Sequence, residues 1–384
     1  VTEYCQPEPV WVQSDAQLAE YAEHWQQSRF LALDTEFVRT STFYPKAGLI
    51  QLADADTCYL IDPLAITCWQ PLAAVLTNPS VLKVFHACAE DLEVCQRLTG
   101  VMPTPLADTQ MAAAMAGLGG SLGFQKLVGL VLDVELSKGE TRSNWLHRPL
   151  TEQQVHYAVA DVYYLQLLYP LLEARLEESG RLAWLSEDCA RVVREASEEP
   201  SLSDYYRRVK MAWKLRPQEQ YVLQQLVGWR EQQARLRDVP RNKVVDDGTL
   251  WNIARFKPSR KDQLVKAGMK PEAIRKDAEA LLALSSEALQ HDRVDWPVAL
   301  EKPLKPAVGQ WLKDGKALVS ERAEALGVPP EILARKKPLE QLLRSGLADG
   351  NFVLPEPLSG WRCEQIGLAL QELFGRLYSA HTCD

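Results

Sequence analysis

Apolar residues fall into two regimes along the chain. Over the first half, short strand-like runs alternate with segments of helical spacing. FLALDTEFV (30–38) is apolar on both alternating faces until its acids. LIQLAD (49–54), CYLID (58–62) and VLKVFHA (81–87) are further β-rich runs. EDLEVCQRL (90–98), DTQMAAAMAGL (108–118), GFQKLVGLVL (123–132) and the long segment from Thr151 to Glu178 carry helical spacing. Strands first and helices around them predict a mixed α/β sheet domain over residues 1–195. REASEEPSLSD (194–204) reads as the start of a linker, placed at 196–208.

Beyond it the strand signal nearly vanishes and an internal repeat emerges. Ala234, Val239-Pro240, Val244, Leu250 and Ile253 recur as Ala323, Val328-Pro329, Leu333, Leu339 and Leu342, each shifted by 89 residues. Gly268, Ile274 and Leu281 recur as Gly360, Ile366 and Leu373 with a shift of 92. Two helical modules of similar plan are expected, at 209–291 and 307–378, joined through a Pro-rich linker at 292–306.

Composition changes this picture in one place. The 384 residues carry a net charge of -8, but from Asp204 to Glu279 there are 18 Lys and Arg against 10 Asp and Glu. That segment is +8 and the remainder -16, which makes the first helical module a candidate polyanion-binding surface. Its candidate cations are Arg207, Arg208, Lys210, Arg235, Arg237, Arg241, Lys243, Arg255, Lys257, Arg260 and Lys261, with Trp229 and Trp251 assigned to the core. No apolar run reaches the ~18 residues of a membrane span, and VTEYCQPEPVW at the start lacks the pattern of an export signal. Eight scattered cysteines without a C-x-x-C pair fit a reducing compartment, so a cytoplasmic protein is expected, with no membrane partner.

The candidate chemistry lies in acids placed where a core would exclude them. Asp34 and Glu36 are two apart on a strand and leave the same face, at the carboxyl end where open α/β sheets gather ligands. Two carboxylates this close repel unless a cation lies between them, and oxygen-only donors suit Mg²⁺ or Mn²⁺. Asp91 opens a helix after VLKVF, where the dipole favours an acid anyway, so taken alone it reads as a cap. Thr151 and Gln154 form a capping box that fixes a helix start, so Tyr157 and Asp161 share a face one turn apart. Val155, Ala158, Val159, Ala160 and Val162 surround Asp161 with apolar groups, and an acid there needs a partner or a metal. Asp108 reads as an N-cap, His86 as a structural histidine, and the Gly119–Gly123 turn lacks the lysine of a phosphate loop.

D-x-E on a first strand, an Asp after a later strand and Y-x-x-x-D on a late helix together resemble the DEDD superfamily of 3′-to-5′ exonucleases, in its tyrosine-bearing (DEDDy) branch. The flanking text ALDTEFVRTSTFYPKAGLIQL, EDLEV, ADTQMAAAM and NWLHRPLTEQQVHYAVADVYYL looks closely like the bacterial ribonuclease D family. LQQLVGWREQQARLRDVPRNKVVDDGTLWNIAR is similar to the first of that family's two HRDC (helicase-and-RNase-D C-terminal) domains, and LGVPPEILARKKPLEQLL resembles the second more loosely. Asn144 stands where the family often has Asp, which bears on local loop hydrogen bonding and not on the metal-site acids.

The resemblance implies a ribonuclease H-like mixed sheet flanked by helices, followed by two all-α HRDC domains. It implies a 3′–5′ exoribonuclease that hydrolyses phosphodiesters with two divalent ions, Mg²⁺ or Mn²⁺, and needs no small-molecule cofactor. Asp34, Glu36 and Asp161 would bind the first ion, Asp34 would bridge to the second, and Asp91 would support the second through water. Tyr157 would orient the attacking water, because a phenol with a pKa near 10 is a poor base at neutral pH. RNA with a free 3′ end, above all tRNA precursors, is the implied partner, and 5′-mononucleotides the product. Nothing in the carboxylate pattern reads a 2′-hydroxyl, so a DNA-directed exonuclease is the competing expectation and a non-catalytic nucleic-acid-binding protein the more distant one.

Overall fold

The computed structural model describes residues 6–136, 139 and 143–382. They form two compact units that do not follow chain order. The first takes the chain up to Val38, then Ala47–Ser197, then everything from Leu304. The second takes Arg39–Lys46 and Glu198–Pro303.

Six strands make the sheet of the first unit: β1 (Val10–Val12), β2 (Phe30–Val38), β3 (Lys46–Ala53), β4 (Cys58–Ile61), β5 (Leu82–Phe85) and β6 (Leu106–Asp108), in the order β1-β4-β3-β2-β5-β6. β2, β5 and β6 run parallel, β3 is antiparallel to β4, and β1 is parallel to β4, so the sheet is mixed. β2 is central, and Phe30 to Leu33 are all buried on both faces, as a strand covered on two sides requires. Only Phe30–Ala32 pair with β5, so Asp34 and Glu36 lie on the part of β2 that runs on past that pairing.

Helices α1 (Asp15–Trp25), α2 (Gln70–Thr77), α3 (Ala89–Thr99), α4 (Thr109–Met115), α5 (Phe124–Leu132), α6 (Glu152–Glu178) and α7 (Leu182–Ser197) cover this sheet. α6 starts where the capping box sets it: Gln154 N donates to Thr151 Oγ1 at 3.2 Å and Thr151 N to Gln154 Oε1 at 3.0 Å. It then packs on β2, β4 and β5, burying Ala158, Val162, Leu165 and Leu172.

The second unit is helical: α8 (Pro217–Leu236), α9 (Arg241–Val244), α10 (Asp247–Phe256), α11 (Lys261–Lys266) and α12 (Pro271–Ala288). The stretch read as linker at 196–208 is largely structured. α7 runs through Ser197, and Leu202–Arg208 form a 3₁₀ helix whose Tyr205 and Tyr206 are buried with Leu223 and Leu226 of α8. Two aromatic rings supplied the apolar surface that a Ser/Glu/Pro composition hides.

The last helices, α13 (Pro306–Leu326), α14 (Pro330–Leu333), α15 (Lys336–Ser345) and α16 (Leu368–Thr382), belong to the first unit. Their core residues Trp311, Leu339, Leu342 and Phe374 join the same apolar cluster as the sheet. The junction on α7 is specific. Arg362 Nη1 and Nη2 donate to the two oxygens of Asp188 at 2.5 and 2.6 Å, and Trp361 stacks on Trp184 with centroids 4.1 Å apart and planes 5° from parallel.

Candidate active site

Ligand oxygens of Asp34, Glu36 and Asp161 lie within 4.8 Å of one another. β2 supplies two of them through its period of two, and α6, phased by its N-terminal capping box, supplies the third. Burial and the neighbouring Asp161 raise the Asp34 carboxyl well above the usual range. Burial, then Asp34 and Asp161, push Glu36 up to about 9. Burial lifts Asp161 to about 7 even though the Tyr157 hydroxyl donates a hydrogen bond to it. Among the described residues, no Lys or Arg is among the groups acting on these three carboxyls. Asp161 Oδ2 is buried with no hydrogen-bond partner among the described residues.

A buried carboxylate oxygen with no donor among the described residues, in a cluster of acids with no Lys or Arg among them, is unfavourable as it stands. Hard oxygen donors gathered in this way fit a divalent ion such as Mg²⁺ or Mn²⁺. The sign of the linkage agrees. Glu36 holds its proton in the fold above its ordinary value of 4.5, so without a cation the folded state loses stability as pH rises from there toward 9.

Asp91 stands apart from the trio. It is buried at the start of α3, and its Oδ1 accepts from Thr35 Oγ1 at 2.5 Å. Burial and the charge of Asp34 raise it well above the carboxylate range. Thr35, between the two β2 acids in sequence, is thus the residue that fixes Asp91, and nothing in the local pattern of β2 announces it.

Burial, with Asp161, Glu36 and Asp34 nearby, raises Tyr157 far enough that its hydroxyl keeps its proton at neutral pH. The Tyr157 ring packs on buried Trp145 with centroids 6.1 Å apart. Arg148 braces Trp145, donating to its carbonyl at 2.9 Å, to Gly48 O at 2.6 Å and to both oxygens of Asp62 at 2.8 and 2.6 Å. Gly48 on β3 makes room for this: a Cβ there would sit 2.6 Å from both the Cβ and the carbonyl oxygen of Trp145. Gly48→Ala is therefore expected to cost about 1–3 kcal/mol through overpacking, read as a lower midpoint of thermal unfolding. An unchanged midpoint would show that Trp145 has slack.

A family model described as 3′-5′ exonuclease matches residues 9–177, and one for the HRDC domain matches residues 219–284. Ribonuclease D of Pseudomonas paraeruginosa is 49% identical over 365 residues, spanning 95% of this chain and 97% of its own. The chain belongs to the ribonuclease D family. Ribonuclease D of Escherichia coli is 40% identical over 366 residues, covering 94% and 97%. The crystal structure of Escherichia coli RNase D, an exoribonuclease involved in structured RNA processing, matches with a TM-score of 0.91 at 38% identity, covering 96% of this chain and 99% of that one. This member of the ribonuclease D family is a 3′–5′ exoribonuclease.

Other sequence candidates take structural places in this ribonuclease D family fold. Asp108 caps α4 by accepting from Gln110 N and Met111 N, and it also accepts from Ala87 N and Cys88 N at 3.0 Å each. It thereby holds the turn that launches α3 and Asp91. His86 contacts Thr109 Oγ1 at 2.9 Å and Leu122 O at 3.1 Å. Asn144 Oδ1 accepts from Leu146 N at 3.2 Å, a local turn contact. No helix among the described residues is long and apolar enough to cross a membrane.

The basic candidates differ in what they touch. Arg235 and Arg241 both bind fully buried Glu231, Arg237 binds buried Asp277 and Arg255 binds buried Glu219. Arg207 pairs with Asp204, Arg260 with Asp262 and Lys261 with Glu279 at the surface. Arg208 lies 5.0 Å over the Tyr205 ring, and Lys257 donates to Gln218 Oε1 at 3.2 Å. Lys210 and Lys243 are exposed, and among the described residues neither pairs with a carboxylate. Trp229 and Trp251 pack partly buried against the core of the second unit.

Proposed function

We propose that this exoribonuclease trims RNA from the 3′ end with two divalent ions, Mg²⁺ or Mn²⁺, releasing 5′-mononucleotides. The observation that carries the reading is the buried trio Asp34, Glu36 and Asp161 with the donorless Asp161 Oδ2. Asp34, Glu36 and Asp161 would hold one ion, and Asp34 with Asp91 the other. Such ions lower the pKa of water and offset charge on the attacking and leaving oxygens of a phosphodiester. Asp91, whose Oδ1 accepts from Thr35 Oγ1, would support the second ion through water. Tyr157, anchored by its bond to Asp161 and by Trp145, keeps its proton and orients the attacking water by hydrogen bonding. Its place one turn before Asp161 supports the tyrosine-bearing DEDDy branch.

A second HRDC-like domain at the C-terminal end is part of this proposal. α14 and α15 begin 89 residues after α9 and α10, with the same lengths of 4 and 10 residues. α13, of 21 residues, stands where α8, of 20, stands in the first copy. Affiliation with the ribonuclease D family favours RNA over DNA, and tRNA precursors are the natural class to test. A tRNA carrying extra 3′ nucleotides should be shortened stepwise in MgCl₂ and left intact with chelator. Trimming that persists in chelator would contradict the metal assignment, and equal trimming of a matched DNA 3′ end would contradict the RNA assignment.

A further inference from the structure

The segment that joins β2 to β3 is built into the helical unit. Phe43 N and Tyr44 N both donate to Asp238 Oδ1 at 3.0 Å. The Phe43 ring is buried under two guanidinium groups, Arg241 at 4.6 Å and Arg235 at 5.6 Å from its centroid, and both arginines are tied to Glu231. Arg39 Nε on Phe43 O at 3.1 Å and Thr42 Oγ1 on Tyr44 O at 2.7 Å shape the segment from within.

This clamped segment forms one wall of a cavity of about 750 Å³. Thr40 and Ser41 face it from that wall, and Lys243, Lys270 and Lys276 face it from α9 and the start of α12. Its floor, including Val245 and Met269, is apolar. The acids around it are largely committed elsewhere. Asp277 takes both Nη groups of Arg237 at 3.0 and 2.6 Å, and Asp246 caps α10 through Thr249 N at 2.9 Å and Thr249 Oγ1 at 2.7 Å. Glu272 reaches Lys276 at 3.5 Å, both side chains exposed. Lys243 and Lys270 are left exposed, without a carboxylate partner among the described residues.

We propose that this cavity is a groove for the sugar-phosphate backbone of the RNA substrate, with Lys243 and Lys270 on its phosphates and the hydroxyls of Thr40 and Ser41 opposite them. The proposal rests on the exoribonuclease reading and adds where the strand behind the 3′ end is held. Unpaired lysines are flexible point charges that grip phosphate without reading sequence, as trimming of varied 3′ ends requires. The volume suits a nucleotide-sized ligand and exceeds what a lone phosphate needs. Thr40 follows Glu36 by only four residues of sequence, so the groove's wall and the β2 acids belong to one short stretch of chain. The clamp on Phe43 and Tyr44 is what holds the wall in shape.

The test uses the full chain in chelator, so that RNA is bound and not cut. Anisotropy of a fluorescent RNA with a single-stranded 3′ end is followed against salt for wild type, for Lys243→Gln with Lys270→Gln, and for Lys266→Gln. Lys266 is exposed at the end of α11 and lies outside the groove. The double variant should bind about tenfold or more weakly, with the slope of log K against log salt reduced by about 1.4, the value for two phosphate contacts on a single strand. Lys266→Gln should bind as wild type does. A double variant with wild-type affinity and slope overturns the groove, and so does an equal loss in Lys266→Gln, which would mean diffuse attraction. Wild type assayed in MgCl₂ on the same RNA keeps the two readings separate: trimming there with a normally binding double variant overturns the groove alone, whereas no trimming overturns the exoribonuclease reading beneath it.

Discussion

Asp34→Ala should reduce turnover on RNA by at least about a thousandfold at saturating Mg²⁺ while leaving RNA affinity near that of wild type. Asp34 is the hub of the cluster: its charge acts on Glu36, on Asp91 and on Tyr157, and it is buried against Asp161. Metal-assisted charge stabilisation in phosphoryl chemistry amounts to several kcal/mol, and each ~1.4 kcal/mol is a factor of ten in rate. Binding is spared because a carboxylate contributes nothing attractive toward a polyanion. The same substitution should raise the unfolding midpoint of the metal-free protein, since it removes one buried charge from a repelling group. Single-turnover cleavage, RNA titration and thermal unfolding read the three outcomes. Near-normal cleavage by the variant would remove Asp34 from the chemistry.

Arg362→Ala should be the most damaging change far from the acids, at about 3–5 kcal/mol, because it takes the two shortest bonds from a buried carboxylate and leaves it Arg191 Nη2 and Trp361 Nε1, each at 3.4 Å. Asp188 is 1% exposed, and Arg362 supplies both of its shortest hydrogen bonds. Arg362 also lies 4.1 Å over the Trp361 ring, whose other stacking partner is Trp184 of α7. The junction therefore fastens α13 to α16 onto the helix that packs beside β6. Pairing Arg362→Met with Asp188→Leu should recover most of the loss, since replacing both members of a buried pair by apolar groups is often close to neutral. Denaturant unfolding of the two variants measures this, and a double variant as unstable as Arg362→Ala would assign the effect to packing.

The central strand and its acids were readable because their signals are local. Four buried residues ahead of a D-x-E need only the strand period to put both carboxylates on one face. A capping box at Thr151 then sets the phase that places Tyr157 with Asp161. What escaped the sequence depends on partners distant along the chain. Thr35 bonds Asp91 from 56 residues away, Arg237 finds Asp277 across 40, and Arg362 finds Asp188 across 174. Hence a count of basic residues in 204–279 overstates free positive charge, since Arg216, Arg235, Arg237, Arg241 and Arg255 all pair with buried acids. β1 and β6, three residues each, are too short for any periodicity to show. The grouping of residues after Leu304 with the sheet was equally hidden, and it means that truncation after residue 203 would strip apolar cover from the first unit's core as well as remove the basic module.

Asp34, Glu36, Asp161 and Asp91 are proposed to hold divalent cations. Thermal unfolding of metal-free wild type and Asp34→Ala, each titrated with MgCl₂ and MnCl₂, measures that directly, because a ligand that binds only the folded state raises its midpoint. The wild-type midpoint should climb with either ion, and the variant's should barely move. Equal rises in the two proteins, or none in wild type, would show that these acids hold no such ion.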